Sequence, residues 1–281
     1  MLRLLIFTAL SILVKLNIAL YQSPVSEPVV FPHGYNKEQV ERNMKRWRPE
    51  HGHQLWTLSG LREGDIMDNH HAGRNVIRDT KKLWKNNTVP FAFTPGYSQE
   101  EILEVIKGMN IIMNGSCIKF RSYEPEIDDD YILIRNDLSG CWSLVGRQGT
   151  GQQPVSLMTP RNGYTCIQYG LAAHEFLHAL GFEHEHNAAN RDDYVTIHFE
   201  NVKPENYHDF DKVSEANFTD FCVGYDYDSV MHYGRTTFSI NETYLETIVP
   251  KDPNAVIGQS DHVSKKDFQK LNLRYNCTDF L

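Results

Sequence analysis

The segment from residue 174 to residue 184 constrains the fold of this chain more than any other feature, because its histidines are spaced to share one metal ion. On an α-helix, His174 and His178 leave the same face one turn apart. Gly181 can adopt a left-handed conformation that ends the helix, so the chain can turn and bring back His184 as a third ligand. Catalytic zinc sites have three protein ligands and one open position. The spacing therefore predicts a zinc site built on a helix.

Glu175 directly follows the first histidine, and a carboxylate at this position is typical of a general base that acts on water beside the metal. The alternative is a chance His-Glu-x-x-His sequence on a buried helix. Three imidazoles would then need partners among apolar neighbours such as Phe176 and Leu180, which is costly without a metal. We therefore favour a catalytic zinc site with Glu175 as its base.

A second motif, Ser-Val-Met-His-Tyr-Gly at residues 229–234, resembles the Met-turn of the metzincins. Glu185 follows the third histidine, and Tyr233 stands two residues after Met231. Together these features resemble the astacin family of metzincin proteases, and the resemblance extends from about residue 75 to residue 277. Similar family landmarks lie at residues 89–91, 140–143, 145–147 and 225–228.

The resemblance implies an α+β fold of the metzincin type of zincin, with a mixed twisted sheet, an active-site helix and two subdomains across a zinc cleft. It implies a zinc metalloendopeptidase with one Zn²⁺ per chain, held by the three histidines of the first motif. By the same resemblance, Tyr233 stabilises the oxyanion and Met231 lies beneath the zinc. Glu185 would help to anchor the mature N-terminus.

The remaining sequence pattern agrees with an α+β domain, because mixed strands are followed by a long helix and then by irregular structure. Alternating and continuous apolar runs predict strands at residues 89–93, 117–120, 131–134 and 155–158. Apolar residues at helical spacing predict helices at residues 98–110, 166–181 and 264–273.

Five cysteines are an odd number, which leaves at least one thiol without a partner in the chain. The family resemblance implies disulfide bonds between Cys117 and Cys277 and between Cys141 and Cys166. Cys222 is then the spare cysteine, and we expect a buried, inert thiol there.

Residues 1–19 are interpreted as a secretory signal peptide, because the apolar run at residues 4–14 follows Arg3 and is too short to span a bilayer. The alternative is a buried N-terminal helix. No other stretch is apolar and long enough for a membrane anchor, and a net charge of -8 gives no sign of a nucleic-acid partner. We expect a secreted, extracellular glycoprotein, with sequons that begin at Asn86, Asn114, Asn217, Asn241 and Asn276.

Residues 20–74 are interpreted as a propeptide, because they are polar and lack sustained periodicity, and residues 75–281 as the catalytic domain. The sequence Leu-Arg-Glu-Gly-Asp-Ile at residues 61–66 resembles the family motif in which an aspartate caps the zinc. Asp65 is therefore the candidate zinc ligand of the zymogen, although Arg62 replaces the usual phenylalanine. The alternative is a simple Gly-Asp turn. We expect another protease to activate the chain between Arg74 and Asn75.

The sequence departs from the family at Ala188 and Asn190, where an arginine and an aspartate are usual, and we expect a change in how this loop and the N-terminus are held. Two other functions are alternatives: a catalytically inactive module with structural zinc, and a zinc hydrolase that acts on non-peptide bonds. The retained ligands and glutamate argue against the first. We predict hydrolysis of peptide bonds within protein or peptide substrates.

Overall fold

The computed structural model of the chain describes residues 28–47, 54–68, 79–159, 164–214 and 219–280. Several predictions lie outside these described residues, among them the signal peptide at residues 1–19, the activation point between Arg74 and Asn75, and the sequon at Asn217. None of the described helices is long and apolar enough to cross a lipid bilayer.

A five-stranded sheet with strand order β2-β1-β3-β5-β4 supports the first half of the fold. β1 pairs in parallel with β2 and β3, and β3 with β5, whereas β4 is antiparallel to β5 and lies at the edge. A separate antiparallel pair, β6 and β7, lies in the second half. The strands are β1 (Thr88–Phe93), β2 (Lys119–Ser122), β3 (Tyr131–Arg135), β4 (Cys141–Ser143), β5 (Gln152–Leu157), β6 (Val195–Ile197) and β7 (Ile248–Pro250).

The described residues form four α-helices: α1 (Lys37–Arg46), α2 (Gln99–Gly115), α3 (Tyr169–Ala179) and α4 (Lys265–Tyr275). Both α2 and α4 begin at capping boxes, which satisfy the free backbone N–H groups of a helix start. α2 runs beyond the predicted end at residue 110, because Ile112 continues its buried apolar face. Short 3₁₀ helices lie at Leu55–Leu58, Thr80–Lys82, Lys85–Asn87, Glu185–Asn187, Arg191–Asp193, Phe199–Asn201, Pro204–Phe210 and Thr278–Phe280.

Most of the apolar core among the described residues lies in two of its four clusters. The larger one packs the five-stranded sheet against α2 and α3, with Val155, Phe176 and Leu177 fully buried. The smaller one lies in the loop-rich second half and includes Phe210 and Ile248. Helix α3 belongs to the larger cluster, and the chain leaves its C-terminal end to enter the smaller one. This arrangement agrees with the α+β architecture and two subdomains predicted from the sequence.

The predicted propeptide contains a helix that its polar sequence did not predict. Helix α1 begins after Asn36, whose side chain caps the first turn. A helix of this length is marginal alone in water. It is stabilised here by packing, because Val40 and Met44 join Leu55 and Trp56 in the larger core cluster. We call the described residues 28–47 and 54–68 the prosegment.

Two disulfide bonds join elements that are distant in sequence. Cys117, just after α2, is bonded to Cys277, just after α4, and Cys141 of β4 is bonded to Cys166. These are the pairs that the resemblance implies. The expectation of a buried thiol at Cys222 is wrong, because this free cysteine is exposed. It lies in a tight turn, with a positive φ of 62°, whose backbone N–H groups bond to the side chain of Asp220.

Candidate metal centre

The C-terminal end of α3 brings the three histidines together. His174 and His178 lie one turn apart on the helix, and both are fully buried. The helix stops because Gly181 has a φ of +100°, which a residue with a Cβ rarely adopts. The chain then reverses, with Phe182 N–H donating to Leu177 O at 3.0 Å, and this turn directs the buried His184 back to the other two.

The carboxylate of Asp65 lies at the centre of the three imidazoles. Its Oδ2 is 2.9 Å from His174 Nε2 and 3.7 Å from His178 Nε2, and its Oδ1 is 3.3 Å from His184 Nε2. One ligand atom from each of these four buried residues lies within 4.8 Å of the others. Three imidazole nitrogens and one carboxylate oxygen are a donor set that zinc prefers.

Several polar atoms at this centre have no hydrogen-bond partner among the described residues. They are Asp65 Oδ1, His178 Nε2 and His184 Nε2, and all are buried. A buried polar atom without a partner is costly, and such groups need an explanation. A single metal ion would satisfy all three atoms at once. The residues present therefore fit one zinc ion.

The outer nitrogens of the imidazoles fix the direction of the inner ones. His174 Nδ1 donates to Val230 O at 2.9 Å, and His178 Nδ1 donates to Phe182 O at 2.8 Å. Because a carbonyl only accepts, the protons lie on Nδ1 and the Nε2 lone pairs face the centre. His184 Nδ1 bonds instead to Glu63 Oε2 at 2.8 Å. Outer partners of this kind orient metal ligands and fix their tautomers.

Burial and charge shift the pKa values around the centre in different directions. Burial lowers the pKa of His174 to about 4 and also lowers that of His178, so both imidazoles are neutral, as metal ligation requires. For His184, burial acts in the same direction, but the carboxylates of Asp65 and Glu63 outweigh it and raise the pKa to about 10. A metal ion must therefore displace a proton from His184.

Glu175 and Tyr233 border the same centre. Glu175 is fully buried, and its carboxylate oxygens have no hydrogen-bond partner among the described residues. Burial, and then the charge of Asp65, raise the pKa of Glu175 well above its ordinary value. Tyr233 is also fully buried, and its hydroxyl donates to the backbone carbonyl of Glu63. Its ring stacks on that of His186 at a centroid distance of 3.7 Å.

Comparison with known proteins identifies the family of this site. The profile described as Astacin, a peptidase family, matches residues 76–276. The chain belongs to the astacin family. Zinc metalloproteinase nas-13 of Caenorhabditis elegans is 41% identical over 207 residues, which cover 74% of this chain and 44% of that protein. Meprin A subunit alpha of Rattus norvegicus is 37% identical, over 73% of this chain and 26% of that protein.

A solved astacin-family structure agrees with the fold. High choriolytic enzyme 1, a hatching enzyme zinc-protease from Oryzias latipes, superposes with a TM-score of 0.61 at 32% identity. The match covers 76% of this chain and all of that one. The metzincin α+β fold and the assignment to the astacin family of zinc metalloproteases are thereby confirmed, and the buried cluster of three histidines fits the predicted zinc cofactor. The chain spans less than half the length of nas-13 and of the related nas-14.

The glutamate next to the third histidine has a partner that the sequence did not reveal. Both carboxylate oxygens of Glu185 accept from Lys270 Nζ, at 2.7 and 2.8 Å, and both side chains are buried. Glu185 N–H donates to Met231 O at 3.0 Å, and Met231 is buried. The ion pair therefore joins α4 to the zinc loop and the Met-turn. The mature N-terminus predicted to dock near Glu185 lies outside the described residues.

One turn earlier on α4, Asp267 holds the Met-turn directly. Its carboxylate accepts from Ser229 Oγ at 2.7 Å and from Val230 N–H at 3.1 Å. The carbonyl of Val230 in turn accepts from His174. Asp267 was not identified from the sequence. The available signal is the Ser-x-x-Asp capping pattern that begins at Ser264, and this pattern predicts a helix start rather than a role beside the metal.

The loop that contains Ala188 and Asn190 is held by Arg191 and by apolar packing. Arg191 Nη1 donates to His186 O at 3.2 Å and to Asn187 Oδ1 at 3.1 Å. Ala188 is buried in the smaller core cluster. The arginine therefore pins the segment after His184, and apolar packing occupies the place of a charged side chain.

The prosegment contacts the centre through residues that the sequence did not single out. Trp56 stacks on the ring of His174 at a centroid distance of 4.3 Å. The side-chain amide of Gln54 bonds to the backbone on both sides of Tyr233, at His232 O and Gly234 N, each at 2.9 Å.

The edge strand β4 is also occupied by the prosegment. Ser143 N–H donates to Asp65 O at 3.0 Å, and Met67 N–H donates to Ser143 O at 2.8 Å. These two bonds form a parallel bridge between Ile66 and Ser143. They fix the backbone on both sides of Ile66, and Asp65 is thereby directed at the three imidazoles.

Proposed function

We propose that this chain is a secreted zinc endopeptidase that is made latent and that cleaves peptide bonds inside proteins. The observation that carries the proposal is the convergence of His174, His178 and His184 on one buried point beside Glu175. Membership of a peptidase family and the zinc metalloproteinases among its relatives support the same chemistry. The proposed domains are a signal peptide at residues 1–19, a propeptide at 20–74 and a catalytic domain at 75–281.

In the proposed mechanism the three histidines hold Zn²⁺, which supplies a Lewis acid that polarises a carbonyl and makes water more acidic. Glu175 takes the proton from the attacking water and delivers it to the leaving amine. The hydroxyl of Tyr233 donates to the oxyanion that develops on the scissile carbonyl. Removal of one such donor typically costs ~3–4 kcal/mol in the barrier.

The substrate is proposed to lie extended along β4 and to bond to its backbone, as peptides do when they extend a sheet edge. The bonds that Ser143 makes to the prosegment support this placement, because an extended segment already pairs with this edge. In the active protein the same N–H and C=O groups would hold the substrate. The partners are therefore protein or peptide substrates.

Latency is proposed to come from three simultaneous blocks by the prosegment. Asp65 takes the position that water must occupy, Glu63 O engages the hydroxyl of Tyr233, and the backbone around Ile66 covers the edge of β4. A cut near Arg74 by another protease would release all three. Secretion is supported by the two disulfide bonds, which persist in oxidising compartments.

A casein digestion assay tests the proposed function. The precursor is treated with a protease that cuts after arginine, and the product is assayed with and without a zinc chelator, beside Glu175→Gln. Chelator-sensitive digestion that is lost in the variant is the expected result. No digestion by a zinc-loaded, processed protein would indicate an inactive binding module, and activity on esters alone would indicate a non-peptide hydrolase.

A further inference from the structure

The prosegment places a guanidinium against a carboxylate of the catalytic domain, close to the metal centre. Arg62 Nη1 is 3.1 Å from Glu183 Oε2, and Arg62 Nη2 is 3.4 Å from Glu183 Oε1. Glu183 directly precedes His184, and its side chain is 12% exposed. Two roughly parallel contacts of this kind match the planar fork of arginine to a carboxylate.

Release of the prosegment would leave Glu183 without its cation. The other two carboxylates that contact Arg62 are Glu63 at 2.5 Å and Asp68 at 3.0 Å, and both belong to the prosegment. They would depart with Arg62, whereas Glu183 would stay on the wall of the cleft. Among the described residues, Arg62 is the ion-pair partner of Glu183.

A second carboxylate of the catalytic domain faces the next prosegment residue. Asp209 Oδ1 accepts from Glu63 N–H at 2.7 Å, and its side chain is 2% exposed. Two successive prosegment residues, Arg62 and Glu63, therefore each contact a carboxylate on this wall of the cleft. A carboxylate that is nearly excluded from water is costly unless a cation or several hydrogen-bond donors approach it.

We propose that Glu183 forms a subsite that selects an arginine or lysine side chain of the substrate, close to the scissile bond. The inference rests on the proposed function, since it requires substrate to enter the space that the prosegment leaves. Arginine is favoured over lysine, because its fork can bond to both oxygens of Glu183, as Arg62 does. Asp209 contributes less, because its Oδ2 also accepts from Asn206 Nδ2 at 2.8 Å and its Oδ1 lies 3.4 Å from His208 Nε2.

Cleavage-site profiling of the processed, zinc-loaded protein on a library of peptides from a digested proteome tests this subsite. The expected result is enrichment of arginine and lysine at one fixed position relative to the cut, and loss of that enrichment in Glu183→Gln. Glu246→Gln is the matched control, because this partly exposed carboxylate pairs with Arg235 rather than with a cation of the prosegment. We expect the control to keep the wild-type profile.

A pair of synthetic peptides keeps the test decisive if Glu183→Gln does not fold. One peptide carries arginine at the enriched position and the other carries citrulline, which has the same shape without the charge. Wild-type protein should cleave the arginine peptide with a kcat/KM at least about tenfold higher. Cleavage without any basic preference, or a preference that Glu183→Gln retains, would overturn the inference alone. Absence of all peptide cleavage would instead overturn the proposed function.

Discussion

At the scale of single residues, Tyr233 has two partners in succession under the proposed mechanism. Its hydroxyl bonds to Glu63 O in the latent protein and to the oxyanion in the active one. Tyr233→Phe should therefore lower kcat of the processed protein by about 10²–10³, with little change in KM, because the donor acts mainly in the transition state. Steady-state kinetics on a fluorogenic peptide measure both constants. Tyr244→Phe, at an exposed position, is the control, and equal kcat values for the two variants would refute the role of Tyr233.

Asp65 is the second residue whose replacement is informative. Asp65→Ala removes the only carboxylate that lies among the three imidazoles within the described residues. The uncut precursor should then digest casein slowly or become unstable to proteolysis, since the remaining prosegment contacts hold but no longer fill the centre. Asp68→Asn, which changes an exposed carboxylate three residues away, should stay latent. A fully latent and stable Asp65→Ala precursor would exclude the aspartate as the switch.

The residues that sequence reasoning found and missed differ in a simple way. The three histidines and Glu175 are close together in sequence, so helix geometry and the turn at Gly181 predict their convergence. Glu63, Gln54 and Trp56 reach the same centre from a segment more than a hundred residues away. No local period or spacing connects such pairs. They become visible only when the packing of the two segments is known.

At the scale of secondary structure, α4 supports the metal centre through two side chains one turn apart. Lys270→Met should leave the buried carboxylate of Glu185 without its cation, which typically costs about 3–5 kcal/mol. Denaturant unfolding of the zinc-loaded protein measures this loss. Lys265→Met, at an exposed position of the same helix, should change stability little.

A double substitution tests whether the stability lost in Lys270→Met comes from the unpaired charge of Glu185. Adding Glu185→Gln to Lys270→Met removes the unpaired charge, so much of the lost stability should return. If the double variant is as unstable as the sum of the single ones, the two side chains do not act as a pair. The prediction concerns the free energy of unfolding and does not depend on catalytic activity.

The helices were easier to predict than the strands. α2 carries a long apolar face and a capping box, and its existence followed from the sequence even though its end did not. β4 has only three residues, too few for an alternating pattern to register. β4 pairs with β5 on one side only, so its other side is free to pair with a further extended segment.

At the scale of the whole molecule, the prosegment shares its main core with the proposed catalytic domain. Val40, Met44, Leu55 and Trp56 are buried with residues of α2, α3 and the sheet. This explains why a polar segment without periodicity folds here, because most of its apolar side chains pack against the surface of the remaining chain, in this cluster and in a second one where Leu61 and Met67 contact Trp142 and Leu144. The sequence showed its polarity but gave no indication of that surface.

The combined burial of Asp65 and Trp56 predicts how firmly the molecule holds its metal. In the proposed precursor Asp65, His174, His178 and His184 would hold the ion, and Trp56 covers the ring of His174, so water and chelator would reach the ion poorly. Zinc should leave the processed protein at least about tenfold faster than the precursor when a chromogenic chelator is added in excess. The precursor with Asp65→Ala is the matched control, and its release rate should approach that of the processed protein. Equal release rates from the unaltered precursor and the processed protein would mean that the prosegment does not close the centre, whatever its effect on substrate.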